Sequence, residues 1–294
     1  MKATSETPVS ASRVDLHMHS TASDGHLSPT AVVQRAADRG VRLMALTDHD
    51  TVEGIPEAQA AAGQSGIDCV PGIELSARWA RGVVHIVGLD LDITTPMLVE
   101  GVARQQAERR RRAVRIAEQL ARAGISDIAE RLERMAQGVP GRAHVARALV
   151  EQGAVPTVQA AFERYLKRGR PGYAPVQWAR IEEVVAWIHA AGGVAVFAHP
   201  LRYGLSRGAL RAAIQAFVEA GGQAIEVANG GGGRDDHVAA AALARRFGLA
   251  GSKGSDFHDP DFPWIEIGRL APVPPDIPVV WERFSETLAE HASG

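Results

Sequence analysis

The chain holds one cysteine, Cys69, in 294 residues. That excludes an intrachain disulfide framework and a thiolate zinc site, and it fits a reducing compartment, so a cytoplasmic protein is expected. No apolar run approaches the roughly 20 residues of a membrane-spanning helix, and no membrane association is expected. Neither sign of charge prevails: 32 Lys and Arg stand against 34 Asp and Glu, for a net charge of −2. No global field draws the chain to nucleic acid or lipid, so any anion site must be local. There is no internal repeat, no low-complexity segment and no sign of an obligate protein partner. Residues 1–12 are rich in Ser and Thr, lack an apolar signal core and read as a disordered tail. What is present is ordinary for a globular protein, 46% hydrophobic and 22% charged, and long enough for one large α/β domain with an insertion.

The most informative stretch is Asp15-Leu16-His17-Met18-His19-Ser20, followed by Asp24-Gly25. Its alternation is that of a β-strand, which sends His17 and His19 out on one side. Ser28-Pro29 then starts a helix that Gly40 ends. Val41 to Thr47 reads as a strand leading into Asp48-His49-Asp50, and Val52 to Ala62 as a helix closed by Gly63. Asp68 to Ser76 and Val83 to Leu91 read as strands carrying Glu74 and His85. The rhythm then stops. Residues 100–172 look helical throughout, with a long helix over Ala103 to Ala123 whose inner face would hold Val114, Ala117, Leu120 and Ala121. From 173 the rhythm resumes: helix 181–191, strand 194–198 ending at His199-Pro200, helix 207–220, strand 224–227 before Asn229, helix 235–247, and a short strand 249–251 before Gly254-Ser255-Asp256-Phe257-His258. A last strand is expected at Ile265 to Ile267 and a C-terminal helix after the Pro-rich residues 272–278. The expected architecture is an α/β fold, a distorted (β/α)7 barrel formed by residues 13–99 and 173–294, with 100–172 as a helical insertion domain capping the substrate.

His17, His19, His49, Glu74, His85, His199, Asp256 and His258 fall at or near strand ends, with Asp24 in the first loop. In an α/β barrel those ends share one face, which holds the active site. A lone buried histidine is usually a hydrogen-bonded core residue. Nine metal-capable side chains on one face need a common cause, and divalent cations supply it. Imidazole and carboxylate without thiolate suit Mn²⁺, Zn²⁺ or Fe²⁺, and nine ligands call for two or three ions. Metals lower the pKa of bound water, so a hydroxide bridging two of them is a nucleophile at neutral pH.

The same segments, together with Leu46-Thr47-Asp48-His49-Asp50, Gly72-Ile73-Glu74 and Ala198-His199-Pro200, resemble the PHP family, the polymerase and histidinol phosphatase metal-dependent phosphoesterases. The resemblance covers residues 13–98 and 174–270. It implies a distorted (β/α)7 barrel with a trinuclear centre, for which Mn²⁺ is expected first, with Zn²⁺ or Fe²⁺ as alternatives. One metal would be held by His17, His19, Glu74 and Asp256, a second by bridging Glu74 with His85 and His199, and a third by Asp24, His49 and His258. His199 or Asp24 would also serve in proton transfer.

Within that family, Gly141-Arg142-Ala143-His144, Tyr165-Leu166-Lys167, Gly169-Arg170-Pro171-Gly172-Tyr173 and His199-Pro200-Leu201-Arg202-Tyr203 resemble a subgroup. Its members remove the 3′-phosphate of nucleoside 3′,5′-bisphosphates or trim short oligoribonucleotides from the 5′ end, releasing inorganic phosphate or nucleotides. A bisphosphate needs a second anion site, for which arginine is suited. Arg142, Arg170 and Arg202 are the candidates, with Lys167 and His144 behind them. Arg109 to Arg112 reads as a solvated helix face, Asp50 and Asn229 as partners that orient ligand imidazoles, and Gly230 to Gly233 as a flexible loop. His26, His189, His237 and His291 read as ordinary. The alternatives are a histidinol-phosphate phosphatase, a non-catalytic nucleic-acid-binding module of the same fold, and an amidohydrolase acting on C–N bonds.

Overall fold

The computed structural model describes residues 13–135 and 138–284. The expected tail at 1–12, His291 and residues 285–294 lie outside them; the described start of the expected C-terminal helix is a single 3-10 turn, Val280–Arg283.

Seven strands form one sheet in chain order: β1 (Val14–Asp15), β2 (Leu43–Leu46), β3 (Asp68–Trp79), β4 (Gly82–Leu89), β5 (Val194–Phe197), β6 (Ala224–Asn229) and β7 (Ala250–Gly254). The first and last meet: Leu16 N–H donates to the Lys253 carbonyl at 3.0 Å and His19 N–H to Phe257 at 2.9 Å. The result is a nearly closed barrel, as expected.

Helices α1 (Pro29–Asp38) and α2 (Ile55–Ser65) cover β1 and β2. The Ser28 hydroxyl caps α1 by accepting the Ala31 N–H. The α2 helix starts three residues later than its sequence suggests and runs through Gly63 to Gly66, because Pro56 is tolerated only in a first turn. Helices α7 (Ile181–Ala190), α8 (Arg207–Glu219) and α9 (Arg234–Phe247) complete the outer layer. The expected strand at 265–267 is irregular chain; the late segment that bonds to the sheet lies further on, where Gly251 N–H donates to the Pro278 carbonyl at 2.8 Å and bridges to Val279.

One topological feature departs from βα repetition. β3 and β4 form an antiparallel hairpin through Ala80-Arg81, and β4 is antiparallel to β5 as well. His85 therefore does not sit at a C-terminal strand end. It lies in the first half of β4, and the reversal brings that half to the same mouth as the ends of the other strands.

Between β4 and β5 the described chain is helical: α3 (Pro96–Arg122), α4 (Ile128–Met135), α5 (Arg142–Glu151) and α6 (Val158–Ala161), which runs on as a π-turn over Phe162–Leu166. Ala113, Ile116, Leu120, Leu132, Val145 and Leu149 give this region its own hydrophobic cluster. The inner face of α3 is rotated from the expected one: Val114 is 57% exposed, while Ala113 and Ile116 are buried. That phase carries Arg109 and Arg112 inward, since they lie four residues before Ala113 and Ile116.

Candidate metal centre

The nine side chains converge on the barrel mouth. Three groups offer ligand atoms within 4.8 Å of one another: His17, His19, Glu74 and Asp256; His19, Asp24, His49 and His258; and His49, Glu74 and His85. Glu74, 1% exposed, stands at the middle. Its Oε2 lies 2.8 Å from His49 Nδ1 and 3.4 Å from the Nε2 atoms of His17 and His19. Its Oε1 lies 2.9 Å from His85 Nδ1 and 2.8 Å from His199 Nε2. Both oxygens are shared, as in a bridging carboxylate. His199 thus lies against Glu74 but outside the three tightest groups, while His19 and His49 each join two.

These contacts are those of a cation site rather than a hydrogen-bonded core. His19 Nδ1, Asp24 Oδ1, His49 Nδ1, Glu74 Oε2 and His199 Nδ1 are buried without a well-directed hydrogen bond among the described residues, His49 Nδ1 and Glu74 Oε2 being close but not aligned for one, a condition that buried polar atoms rarely tolerate. His17 and His19 point their Nε2 atoms at each other across 3.1 Å. The Nδ1 of His17 lies 2.5 Å from Glu226 Oε1, and proton donation to that carboxylate leaves a lone pair on Nε2, aimed at Glu74 and Asp256. The donor set of six imidazoles and three carboxylates suits borderline divalent ions.

The local fields agree. Burial works against charge on every group here, yet His49 and His85 hold Glu74 well below the usual carboxylate range. His49 and His258 do the same for Asp24, and His17 for Asp256. Burial and the neighbouring His258 push His19 down to about 3. His258 rises to about 9 against its own burial, because Asp24 lies beside it. The backbone is strained at the same place. Asp50, His199 and Asp256 adopt positive φ of 51°, 27° and 56°, conformations that side-chain-bearing residues hold only when their surroundings enforce them.

The bracing residues differ from those expected. Asp50 touches no imidazole; it accepts the N–H and hydroxyl of Ser76 and an N–H of Arg109. Asn229 reaches Glu226 and Arg202 instead of a ring. The group that orients imidazole is Glu226 of β6, which also accepts the His199 N–H at 2.7 Å. A lone carboxylate in the apolar run Ala224-Ile225-Glu226-Val227 was the available signal. Asp48 anchors the Asp24 loop through the hydroxyls of Ser20 and Ser23, and Arg147 binds the Asp24 carbonyl from α5.

A PHP domain model matches residues 15–174 of the sequence. The chain belongs to the PHP domain family. It is 44% identical over 275 residues to the 5′-3′ exoribonuclease Rnm of Escherichia coli, covering 92% of this chain and 94% of that one. It is 42% identical over 281 residues to the 3′,5′-nucleoside bisphosphate phosphatase of Chromobacterium violaceum, covering 95% and 99%. The solved structure of an amidohydrolase from C. violaceum, with bound sulfate and no metal, aligns with a TM-score of 0.89 and 42% identity, covering 93% of this chain and 96% of that one.

Around the PHP centre, a cavity of about 260 Å³ opens over Glu74, with Arg202 and Tyr203 on its wall. Arg202 Nη1 lies 2.9 Å from Asp256 Oδ2 and 3.4 Å from Asn229 Oδ1. Across Asp24, the first turn of α5 presents Arg142, whose guanidinium lies 5.6 Å from the Phe162 ring. Arg112 points to the same place from α3; burial and the repulsion of Arg142 and Arg109 push it down to about 9. Neither Arg112 nor Arg142 forms an ion pair among the described residues. So the run Arg109–Arg112 is not a solvated face throughout: Arg110 and Arg111 are exposed, Arg112 is half-buried, and Arg109 is buried. His144 Nδ1 accepts the Gly141 N–H at 3.0 Å, which leaves Nε2 as the donor nitrogen of a ring kept neutral by burial. Lys167 and Arg170 stand apart. Both are exposed; Lys167 faces Glu163 at 3.8 Å, and no ion pair or side-chain hydrogen bond joins Arg170 to the described residues.

Proposed function

We propose that the chain is a metal-dependent phosphoesterase that removes the 3′-phosphate of nucleoside 3′,5′-bisphosphates and trims short oligoribonucleotides from the 5′ end. The observation that carries this reading is the pairing of two opposite surpluses at one mouth. Buried acceptors around Glu74 lack hydrogen bonds among the described residues, and the cations Arg112 and Arg142 form no ion pair there, Asp24 acting on Arg142 only at longer range. The relatives bear the names of these two activities.

His17, His19, Asp24, His49, Glu74, His85, His199, Asp256 and His258 would hold two to three Mn²⁺ ions. Divalent cations there supply a nucleophile from water at neutral pH and neutralise charge on the phosphoryl oxygens. The chain's own residues do the rest. Glu226 fixes the tautomer and orientation of His17. Arg202 lies within reach of a phosphoryl group over Glu74. Arg142 and Arg112 bind the 5′-phosphate by charge-assisted hydrogen bonds, and His144 Nε2–H donates to the ribose or phosphate. Of the two candidates for proton transfer, Asp24 is held ionised, against its burial, by His49 and His258, which leaves His199 to carry the proton to the leaving ribose oxygen. We assign the protein to the cytoplasm: Cys69 is its single thiol, pushed up to about 12 by burial and so unreactive, and no described helix is long and apolar enough to cross a membrane.

The test is phosphate release, with Mn²⁺, from adenosine 3′,5′-bisphosphate beside 5′-AMP, 3′-AMP and histidinol phosphate. Rapid loss of the 3′-phosphate from the bisphosphate alone is expected. Preference for histidinol phosphate would overturn the two-anion reading.

A further inference from the structure

Arg109 has a role that its sequence context hides. Its Nε donates to Asp50 Oδ2 at 2.6 Å and its Nη2 to Ser76 Oγ at 3.1 Å, and its guanidinium lies 5.3 Å from the Trp178 ring. One turn earlier on α3, Gln105 Nε2 donates to the Ser76 carbonyl at 2.5 Å and to Asp50 Oδ1 at 3.3 Å. Gln105 Oε1 accepts the Ala179 N–H at 3.2 Å, which fixes the amide's orientation. Two side chains of one helix therefore grip the same two residues.

Those two residues flank the centre. Asp50 follows His49 directly, and Ser76 lies two residues beyond Glu74, so Ser76 shares the inward face of β3 with it. The segments are also joined through the backbone, since Asp50 N–H donates to the Glu74 carbonyl at 2.9 Å. Asp50 holds its positive φ while its carboxylate accepts bonds from Ser76, Gln105 and Arg109. On its other side, Arg109 abuts Gly141, where a β-carbon would stand 3.3 Å from Nη1; Gly141 precedes Arg142. A single buried guanidinium thus spans from the start of α5 to the backbone that aims His49 and Glu74.

We propose that Arg109, with Gln105, is a positioning residue through which α3 sets His49 and Glu74 in metal-binding geometry. It touches neither metal nor substrate. The inference rests on the metal reading given above. A merely structural role would lower thermal stability and leave the metal affinity of the folded protein unchanged.

The test is Mn²⁺ titration of the metal-stripped full chain, well below its melting temperature, with free Mn²⁺ read by electron paramagnetic resonance. Arg109→Met is expected to weaken the weakest class of Mn²⁺ sites by about 10- to 100-fold, the range seen when the partners of metal ligands are lost. The kcat should fall, while KM for the bisphosphate stays within about threefold. Arg109→Lys keeps the charge but not the fork, and should recover part of the affinity. Arg104→Met, on the same helix but exposed and paired with Glu183, should match wild type. Gln105→Leu cuts the same connection without stranding a buried charge, and decides the matter if Arg109→Met does not fold. Wild-type Mn²⁺ affinity in folded Arg109→Met, or in folded Gln105→Leu in its place, overturns the proposal. A wild-type chain that takes up no Mn²⁺ overturns the metal reading, and the positioning role with it.

Discussion

Around Glu74, six imidazoles and three carboxylates crowd together, and several of their buried nitrogens and oxygens have no partner. Across Asp24, Arg112 and Arg142 lie near each other and form no ion pair among the described residues. The first region has more electron-pair donors than protons to share; the second holds two guanidinium groups, Arg112 half-buried and Arg142 exposed, that no described ion pair occupies. The contrast extends to composition. Residues 100–172 carry 15 Lys and Arg against 8 Asp and Glu, while the rest of the chain carries 17 against 26. The difference teaches that the barrel and the helical segment are incomplete in opposite senses. On the proposed reading, one would be completed by cations and the other by an anion, and a bisphosphate bound over divalent metals would complete both.

Chelation should break the first region most severely. Stripping divalent ions should abolish turnover reversibly and lower stability by about 2.7 kcal/mol per site, relative to free Mn²⁺ at a hundredfold above its Kd; activity and melting temperature before and after EDTA and Mn²⁺ check this. Retained turnover in EDTA would remove the cations from the account. Glu74→Gln keeps the shape but not the bridging charge. We expect a loss of about a thousandfold or more in kcat with the fold intact, beyond what loss of an outer partner costs, measured by phosphate release and metal content. The smallest effect sharpens the boundary of the second region. Arg170→Ala, and Lys167→Ala beside it, should change kcat/KM for the bisphosphate by less than about threefold, because both side chains are exposed and surface charges act weakly. A tenfold loss would bring the 167–170 loop into the anion site.

Much of this was legible in the sequence for a physical reason. Strand alternation fixes which side chains share a face, so His17 and His19 could be grouped without coordinates, and Glu74 could be added by its place near a strand end. Position within a βα unit located His49, His199 and Asp256. Legibility failed where phase or direction is set by tertiary packing. His85 could be read as a site residue but not as lying in a reversed strand, since the two-residue link Ala80-Arg81 between β3 and β4 was not recognised as a hairpin. Four consecutive arginines look alike in sequence, yet a one-residue rotation of α3 decides that Arg109 is buried and Arg110 is not. Glu226 is marked only as a lone acid in an apolar strand, a signal that carries no periodicity and so does not say which ring it meets. The partner expected for the imidazoles, Asp50, turns instead toward α3.

The central claim is that one mouth handles two anions of one substrate. The most direct measurement compares kcat/KM for adenosine 3′,5′-bisphosphate with that for 3′-AMP, in wild type and in Arg142→Ala. A charge-assisted contact with the 5′-phosphate contributes about 1.5–3 kcal/mol, so wild type should prefer the bisphosphate by about 10- to 100-fold, and Arg142→Ala should lose most of that preference while 3′-AMP turnover changes little. A preference that survives Arg142→Ala in full, or an equal loss on both substrates, would contradict the account.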